Sequence, residues 1–442
     1  MRRLALSGCL TVSLIAIHGD ALARRVTVED AEQMAVASNP RLHASTVRVE
    51  AADSLADSQR GKLLPSIHLY DEAQYWDSPF GFPTSLFGAF GFKIPAGVML
   101  PNARDQSTNT FTASLDQPLL GLVRSSQELA AKRLDAEAAE AGHRAGEAML
   151  REGIRTGYLR YFEARSLEDI ARSSQKELGE QIAVVEAKVK AGVLTNADVL
   201  RVKVAVANAR QQQIQAHAQG EIARAQLLSA IGLDPGDADI ELVEPANLLA
   251  AAHTTVARYE DARASAVARR PEMMQLRLAA ESADRTHRAK KLALLPDVDL
   301  EAGWIHISGQ FFAPSDAEYI GVRASWAVWE WGATWYQARA AERMAEAAAL
   351  DIEDRRHAIS TEVATDLAQS EAAHAVVETA EQTIASAEEA YRVMDALVKA
   401  GSATTTDLLD AQAALTQTRL NLTRAQYEQA VARVALARAI GE

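Results

Sequence analysis

The chain holds almost no cysteine, since Cys9 is the single one in 442 residues. It lies in a stretch with the pattern of a secretory signal peptide: two arginines, an apolar run over residues 4–17 and an Ala-Leu-Ala cleavage site ending at Ala23. Removal of residues 1–23 leaves a mature chain without a thiol, which excludes disulfide bonds and thiolate chemistry. Lipidation of Cys9 after Leu6-Ser7-Gly8 stays open as an alternative that requires a misassigned start codon.

Long apolar runs and an excess of positive charge are also missing. No segment after the signal peptide reaches 18 consecutive apolar residues, so no transmembrane helix is predicted. The formal net charge is −13, and no basic face of the kind that binds nucleic acid is visible. An exported chain of this kind belongs in the periplasm, outside the cell, or in an outer membrane held by strands.

Motifs of catalysis and metal binding are absent as well. The ten histidines are scattered, with no two at the helical ligand spacing of three or four residues. No glycine-rich phosphate loop or nucleophile elbow follows a predicted strand. We therefore predict no catalytic residue, no metal site and no cofactor, and an enzyme is the least favoured class.

What the sequence does contain is an internal repeat. The segment KAGVLTNADVL at Lys190–Leu200 returns in altered form as KAGSATTTDLL at Lys399–Leu409, an offset of 209 residues. Earlier landmarks, Asn39-Pro40 and Arg270-Pro271, repeat at an offset of 231. The chain is therefore a tandem duplication whose first copy carries 22 extra residues, which we place in a long loop between its two strands.

Each copy is predicted to run from two shorter helices through two strands into a long helical hairpin. The alternation of apolar and polar residues predicts strands long enough to cross a bilayer, and each long helix spans on the order of 100 Å. The first copy is predicted at 24–245, with strands at about 66–76 and 107–119 and a hairpin at about 123–231. The second copy is predicted at 246–442, with strands at about 297–308 and 318–330 and a hairpin at about 332–440.

Strands and helices each leave two interpretations open. The strands form either a small soluble β-domain or part of a membrane barrel, and four strands per chain require several chains to close a barrel. All six tryptophans lie in or just beyond the strands, which favours membrane–water interfaces over core packing. The hairpins are either ordinary solvated coiled coils or the wall of a water-filled tube.

The repeated segment reads as a pair of helix–turn–helix tips. A glycine suits the left-handed C-cap that ends each long helix, and Thr-x-x-Asp reads as a capping box at the start of each return helix. The residues are Gly192, Thr195 and Asp198 at the first tip, and Gly401, Thr404 and Asp407 at the second.

A second acidic residue distinguishes the two tips. Asp410 lies one helical turn beyond Asp407 on the same face, a position that capping does not explain. The first copy has Arg201 at the equivalent place, so only the second copy carries an acidic pair.

The layout resembles the TolC-like outer membrane channels, the outer membrane factors of efflux pumps and type I secretion. The resemblance rests on the early segment Val26–Pro40, the duplicated layout and the two tips. It implies a mainly helical fold with membrane β-structure: a homotrimer whose twelve strands form one barrel in outer-membrane lipid and whose twelve helices form a periplasmic α-barrel. It also implies a Gram-negative outer membrane, a periplasmic adaptor protein and an inner-membrane transporter as partners, and no nucleic acid.

The resemblance also implies roles for tip residues. Asp407 and Asp410 match acidic positions that line the periplasmic aperture, and the tip turns match the surface that receives the adaptor. Ala403 departs from the family, which has an arginine there that latches the closed state, so Lys399 becomes a candidate latch. The predicted function is a passive exit duct of a tripartite efflux pump or type I secretion system; the alternative is a periplasmic adaptor or coiled-coil scaffold.

Overall fold

The structure is a computed structural model that describes residues 24–442 except 82–83, 92, 94, 96–97, 99–100, 237–238 and 253–257. The predicted signal peptide and Cys9 lie outside the described residues. The strands are β1 (Arg24–Val26), β2 (Ser66–Tyr75), β3 (Phe80–Gly81), β4 (Asn102–Pro118), β5 (Ile240–Leu242), β6 (Asp297–Gln310) and β7 (Asp316–Ser325). The helices are α1 (Val28–Ser38), α2 (Pro40–Gly61), α3 (Thr84–Ala89), α4 (Gly121–Lys190), α5 (Asn196–Ala230), α6 (Ala246–Ala251), α7 (Tyr259–Arg269), α8 (Pro271–Leu292), α9 (Ala333–Lys399) and α10 (Thr405–Ile440).

The duplication is visible in the element bounds. Helices α1 and α2 return as α7 and α8 at the offset of 231, because Asn39-Pro40 and Arg270-Pro271 begin the second helix of each pair in the same way. The ends of α4 and α9, and the starts of α5 and α10, differ by 209. The long connection lies between β2 and β4 and includes β3 and α3, whereas residues 311–315 alone join β6 to β7.

Four long strands form one antiparallel sheet in the order β2-β4-β6-β7, with β3 paired to β4. The prediction of a strand over 318–330 is wrong at its end, since β7 stops at Ser325. Ser325 pairs with Asp297, the first residue of β6, so the chain beyond it has no neighbouring strand to bond. In the first copy β4 begins at Asn102, earlier than predicted, because β3 and β6 give its first residues partners.

The two faces of this sheet differ in polarity. Register places Ile67, Leu115, Ala302 and Ile320 in one row across the four strands, and Ser66, Asp116 and Glu301 in the adjacent row on the other face. The apolar face is largely uncovered, with large side chains exposed at Ile67, Leu69, Leu115, Trp304, Ile320 and Val322. The polar face carries His68, Glu72, Thr110, Ser114, Asp116, Glu301 and Arg323.

Each long helix lies beside two shorter ones stacked end to end. In the first copy α2 packs along the start of α4, where Gln59 donates a 2.6 Å hydrogen bond to Glu128. Helix α5 packs along the rest of α4, with Leu228 and Tyr158 in the shared core. Helix α9 lies beside α8, α7 and α10 in the same way. No helix in the described ranges is both long and apolar enough to cross a membrane.

The core lies near the middle of the helical part. Tyr158 of α4 is fully buried there, and its hydroxyl contacts the Val26 and Val243 carbonyl oxygens, both at 2.7 Å. It also accepts a 2.9 Å bond from the Val243 amide. These bonds hold the short parallel pair of β1 and β5 against the long helix, which fixes the start of the described chain to the end of the first copy.

Candidate gate at the helical tips

Both long helices end in the same left-handed turn. Gly192 and Gly401 have φ of 75° and 76°, where a side chain is strained. After each glycine the next amide bonds a carbonyl five residues back: Val193 to Lys188 at 2.9 Å and Ser402 to Leu397 at 2.9 Å. This is the Schellman arrangement, and it satisfies carbonyl groups that the helix end leaves without partners.

Both return helices begin with a capping box that uses aspartate. At the first tip the amide and hydroxyl of Thr195 donate to Asp198 Oδ2 at 2.9 and 2.7 Å. At the second tip the Thr404 groups donate to Asp407 Oδ2 at 2.8 and 2.7 Å, and the Asp407 amide donates back to the Thr404 hydroxyl at 3.2 Å. The local geometry predicted from Thr-x-x-Asp is therefore present at both tips.

The two acidic residues of the second tip differ in their surroundings. The hydroxyl and amide of Thr404 hold the pKa of the Asp407 carboxyl below its ordinary value, so this exposed group stays charged. Asp410, one turn further along α10, is also exposed and forms no ion pair with any residue that the structure describes. Of these two carboxylates, only that of Asp410 makes no hydrogen bond or ion pair with the residues that the structure describes.

Arg201 connects the two tips. Its guanidinium donates a 2.8 Å hydrogen bond to Thr406 Oγ1 and lies 3.7 Å from Asp198 Oδ1. The candidate latch Lys399 does not cross between hairpins in this structure, since its ammonium lies 2.6 Å from Asp395 in the same helix. The helical spacing of four explains that correction, because i,i+4 pairs meet on one helix face. In the sequence, Arg201 differs from its counterpart Asp410 only in residue type, and no local pattern indicates its contact with Thr406.

Apolar contacts join the tips as well. Val185 of α4 and Val199 and Val202 of α5 form a small buried cluster near the first turn, and Leu409 of α10 packs against it. Leu178, Ile182, Val185 and Val189 follow one another along α4 at coiled-coil spacing, and the equivalent residues of α9, from Ala387 to Val398, are half-buried.

A ladder of polar contacts continues from the tips along α4 and α10. Gln412 is fully buried, and its side chain lies 2.9 Å from Gln181 and 3.3 Å from Glu177. One turn further on, the hydroxyls of Ser174 and Thr416 are 3.2 Å apart. The contact between the two hairpins therefore includes directional hydrogen bonds as well as apolar packing, which makes its geometry specific.

No three His, Cys, Asp or Glu side chains among the described residues converge as a metal site would require. The tips offer charge, turns and hydrogen bonds, which suit a mouth or a docking surface.

Solved structures share this fold. The outer membrane protein VceC of Vibrio cholerae superposes with a TM-score of 0.76 at 19% identity, covering 94% of this chain and 96% of that one. The Campylobacter jejuni CmeC outer membrane channel gives 0.77 at 13% identity, covering 94% and 85%. The open state of the Neisseria gonorrhoeae MtrE channel gives 0.73 at 17% identity, covering 94% and 88%.

Sequence comparisons agree with the fold. The chain is 26% identical over 287 residues to the outer membrane efflux protein BepC of Brucella suis, which covers 64% of this chain and 61% of BepC. It is 24% identical over 443 residues to the alkaline protease secretion protein AprF of Pseudomonas aeruginosa, which covers 97% and 86%. The sequence model of one family matches two long stretches, residues 32–233 and 262–442. The chain therefore belongs to the outer membrane efflux protein family.

Proposed function

We propose that three copies of this chain form an outer-membrane channel-tunnel, the passive exit duct of a tripartite efflux pump or type I secretion system. The observation that carries the proposal is the sheet with two open edges and one exposed apolar face. Strands β2 and β7 have no partner on their outer sides among the described residues. Open edges in lipid are prohibitively costly, so a membrane sheet of this kind must close with other chains.

The strand directions allow that closure. Strands β2 and β7 run in opposite directions, because three antiparallel pairings separate them. The β7 edge of one chain can therefore pair antiparallel with the β2 edge of the next. Three copies give twelve strands, more than the eight that side chains fill, and so leave a lumen. The polar face, with Asp116, Glu301 and Arg323, then lines the water and the apolar face meets lipid.

The helices carry a second surface for neighbouring copies. An exposed apolar stripe follows one face of α5 through Leu200, Val204, Ile214 and Ile222. These positions fall within a narrow arc of the helical wheel, which is typical of a helix that packs on both sides. A head-to-tail ring of copies covers such a stripe in every chain. In this arrangement the repeats 24–245 and 246–442 each contribute two strands and one hairpin.

The tips form the periplasmic mouth in this proposal. Threefold symmetry gathers the carboxylates of Asp407 and Asp410 into one narrow ring, which attracts cations and raises their local concentration. The bond from Arg201 to Thr406 takes the place of the family latch that Ala403 lacks. The adaptor protein docks on the outer side of the turns, formed by Gly192, Thr195, Asp198, Gly401 and Thr404.

The proposal assigns no chemistry to the chain itself. Energy comes from an inner-membrane transporter, which the periplasmic adaptor connects to the tips. Relatives described as an efflux protein and as a protease secretion protein support an export role. The alternative of a periplasmic adaptor or scaffold is less well supported, because the shared fold with outer membrane channels covers 94% of the chain.

Localisation and conductance test the duct. The full chain should be extracted from outer membranes only, migrate differently on gels before and after heating, and conduct ions in planar bilayers. A protein recovered in the soluble periplasmic fraction, with no conductance after reconstitution, would support the adaptor alternative instead.

Reversal potentials test the acidic ring. The double variant Asp407→Ala with Asp410→Ala should lower cation selectivity under a salt gradient. The matched control is Asp198→Ala, which removes the capping carboxylate of the first tip. Equal reversal potentials in the wild type and the double variant would contradict the ring assignment.

Crosslinking tests the docking surface. A Cβ at Gly192 or Gly401 meets no heavy atom within 4 Å, so a replacement acts through the left-handed backbone and its own bulk. Tryptophan at both positions should reduce export and crosslinking to the adaptor. Gly179→Trp is the control, since that glycine is equally open but lies within α4. Intact crosslinking in the double variant would exclude the turns as the docking site.

A further inference from the structure

Four of the six tryptophans lie within ten residues, from just beyond the end of β7 to the first turn of α9. We call Trp326, Trp329, Trp331 and Trp335 the tryptophan patch. Their exposure ranges from 47% to 86%, in a chain with only 5% aromatic residues. A contiguous exposed patch of large apolar side chains marks an interaction surface.

The backbone of the patch supports the same conclusion. Trp331 is the only non-glycine residue in the described part of the chain with a positive φ, at 55°, and Gly332 follows at 80°. A bulky residue is strained in this region of backbone conformation. The strained conformation does not bury the Trp331 side chain, which is the most exposed of the four indoles. We therefore expect a contact with a molecule outside the chain to offset this strain.

The patch continues the apolar face of the sheet. Beyond Val322 and Ala324 the same alternation leads to Trp326 and Val328, both exposed. The indole of Trp326 donates a 3.3 Å hydrogen bond to the carbonyl oxygen of Leu294, which ties the patch to the end of α8. A cleft of about 610 Å³ separates these two segments. In the proposed duct this level is where lipid tails give way to headgroups.

Three cations lie on the helix ends that adjoin the patch. Lys290 and Lys291 are exposed in the last turn of α8, and the Arg339 guanidinium lies 5.3 Å from the centre of the Trp335 ring. None of the three forms an ion pair with a described residue, whereas nearby Arg288 lies 2.8 Å from Asp284 and Arg343 is paired with Glu346. Glu330, the carboxylate between Trp329 and Trp331, accepts a 2.5 Å hydrogen bond from Thr334 Oγ1, so the three cations outnumber the one acid within the patch.

Helix electrostatics explain only part of this charge. Lys290 and Lys291 at the C-terminal end of α8 interact favourably with the helix dipole. Arg339 lies near the N-terminal end of α9, where the dipole offers a cation no benefit. The first copy has Leu119, Leu120 and no tryptophan at the same junction, so each chain carries one such surface.

We infer that the tryptophan patch with Lys290, Lys291 and Arg339 binds the anionic headgroups of phospholipids in the membrane leaflet nearest the helices. The indoles enter the interfacial region, and the three cations pair with phosphate groups there. The inference rests on the proposed function, since it requires the sheet to stand in a membrane. It adds a preference for anionic lipid, which a membrane-spanning barrel alone does not require.

Quenching of tryptophan fluorescence by brominated lipids tests the inference. The full chain, with Trp76→Phe and Trp304→Phe so that only the patch reports, is reconstituted in phosphatidylcholine bilayers. Brominated phosphatidylglycerol or brominated phosphatidylcholine is then added in increasing amounts. We expect the anionic lipid to associate about fivefold or more tightly, which corresponds to at least one cation acting near an anionic surface.

Charge variants identify the cations. Lys290→Gln, Lys291→Gln and Arg339→Gln together should reduce the preference to that of phosphatidylcholine. The matched control is the triple variant Arg172→Gln, Arg356→Gln and Arg392→Gln, which removes three paired cations far from the patch. This control should keep the preference for anionic lipid. Equal quenching by both lipids in the parent protein, or an unchanged preference in the triple variant, would overturn the inference.

Conductance separates this inference from the proposed function. If another copy of the chain covers the indoles, neither lipid quenches them while the protein still conducts ions, and only the lipid site is refuted. A protein that neither conducts nor enters bilayers refutes the duct and the lipid site together.

Discussion

Arg201 of the first hairpin donates a 2.8 Å hydrogen bond to Thr406 Oγ1 of the second, across 205 positions of sequence. Arg201 occupies the place that Asp410 holds in the other copy. The duplication has therefore diverged at one helix position into a cation that contacts the neighbouring tip and an acid that remains unpaired. This difference gives the two tips different roles in the proposed mouth.

Arg201→Ala should favour the open mouth. Loss of a hydrogen bond between partly exposed groups costs about 1 kcal/mol, which shifts the equilibrium between closed and open tips about fivefold. Single-channel recordings should show more frequent or longer openings. Lys399→Ala is the control, because Lys399 pairs within its own helix. Unchanged opening in Arg201→Ala, or the same increase in both variants, would exclude Arg201 as a link between the tips.

Asp410→Asn and Asp407→Asn should separate selectivity from tip structure. Asp410 makes no capping bond, so its replacement should lower cation selectivity and leave the tip folded. Asp407→Asn should lower selectivity and also speed hydrogen exchange at the first turn of α10, because its carboxylate caps that turn. Reversal potentials and exchange rates at residues 405–408 measure the two effects. Fast hydrogen exchange at residues 405–408 in Asp410→Asn would contradict the proposal that only Asp407 also stabilises the tip.

The pH dependence of that cap has a definite sign. The pKa of Asp407 is lowered in the folded tip by the Thr404 hydroxyl and amide. The contribution of the Asp407 carboxylate to the stability of the folded tip is therefore fully present above the ordinary pKa of an aspartate. This contribution is lost as the pH falls through the lowered pKa. The protection factor of amides in the first turn of α10, which divides out the intrinsic pH dependence of exchange, should stay constant at neutral pH and fall only in acid below the usual aspartate range. A fall in protection near neutral pH would contradict this assignment.

Much of the helical layout could be predicted from local signals. Pro40 and Pro271 begin α2 and α8 as N1 prolines, and the Thr-x-x-Asp boxes begin α5 and α10. These signals act within a few residues, so sequence reveals them directly. The end of β7 at Ser325 depends instead on where its partner β6 begins. The alternation of apolar and polar residues continues beyond Ser325, so it predicted a strand that is too long.

Contacts between the two hairpins could not be predicted from local sequence signals. Whether Arg201 or Lys399 crosses between tips depends on how two helical pairs are rotated and staggered, which no local pattern specifies. The positive φ of Trp331 could not be predicted from the sequence either, because a left-handed backbone conformation is expected of glycine and not of tryptophan.

Arg270→Ala should destabilise the helical part strongly. The Arg270 side chain is 1% exposed, and its guanidinium lies 2.6 Å from Glu362 and 3.0 Å from Glu272. Its removal leaves two partly buried carboxylates without their main partner, at a cost of roughly 2–4 kcal/mol. Thermal unfolding followed by circular dichroism measures the loss. Arg263→Ala, which breaks an exposed pair with Glu260, should change stability little, and equal losses would contradict the argument.

Asp366→Asn should stabilise the protein at neutral pH. Burial, followed by the charge of Glu362, raises the pKa of the Asp366 carboxyl, and no described cation lies within ion-pair distance of it. The charged form is therefore unfavourable in the folded state at pH 7, and an isosteric amide removes that cost. Thermal midpoints measured across pH should show the variant above the wild type at neutral pH.

The sign of this effect follows from the direction of the shift. A raised folded pKa means that the folded protein binds a proton more tightly than the unfolded chain, so wild-type stability rises as the pH falls through that value. The gap between Asp366→Asn and the wild type should therefore close in acid and vanish below the ordinary aspartate pKa of about 3.9. Glu389→Gln is the control with the opposite sign, because hydrogen bonding by Arg392 lowers the pKa of Glu389. A variant less stable than the wild type at pH 7 would show that the Asp366 carboxylate has a stabilising partner.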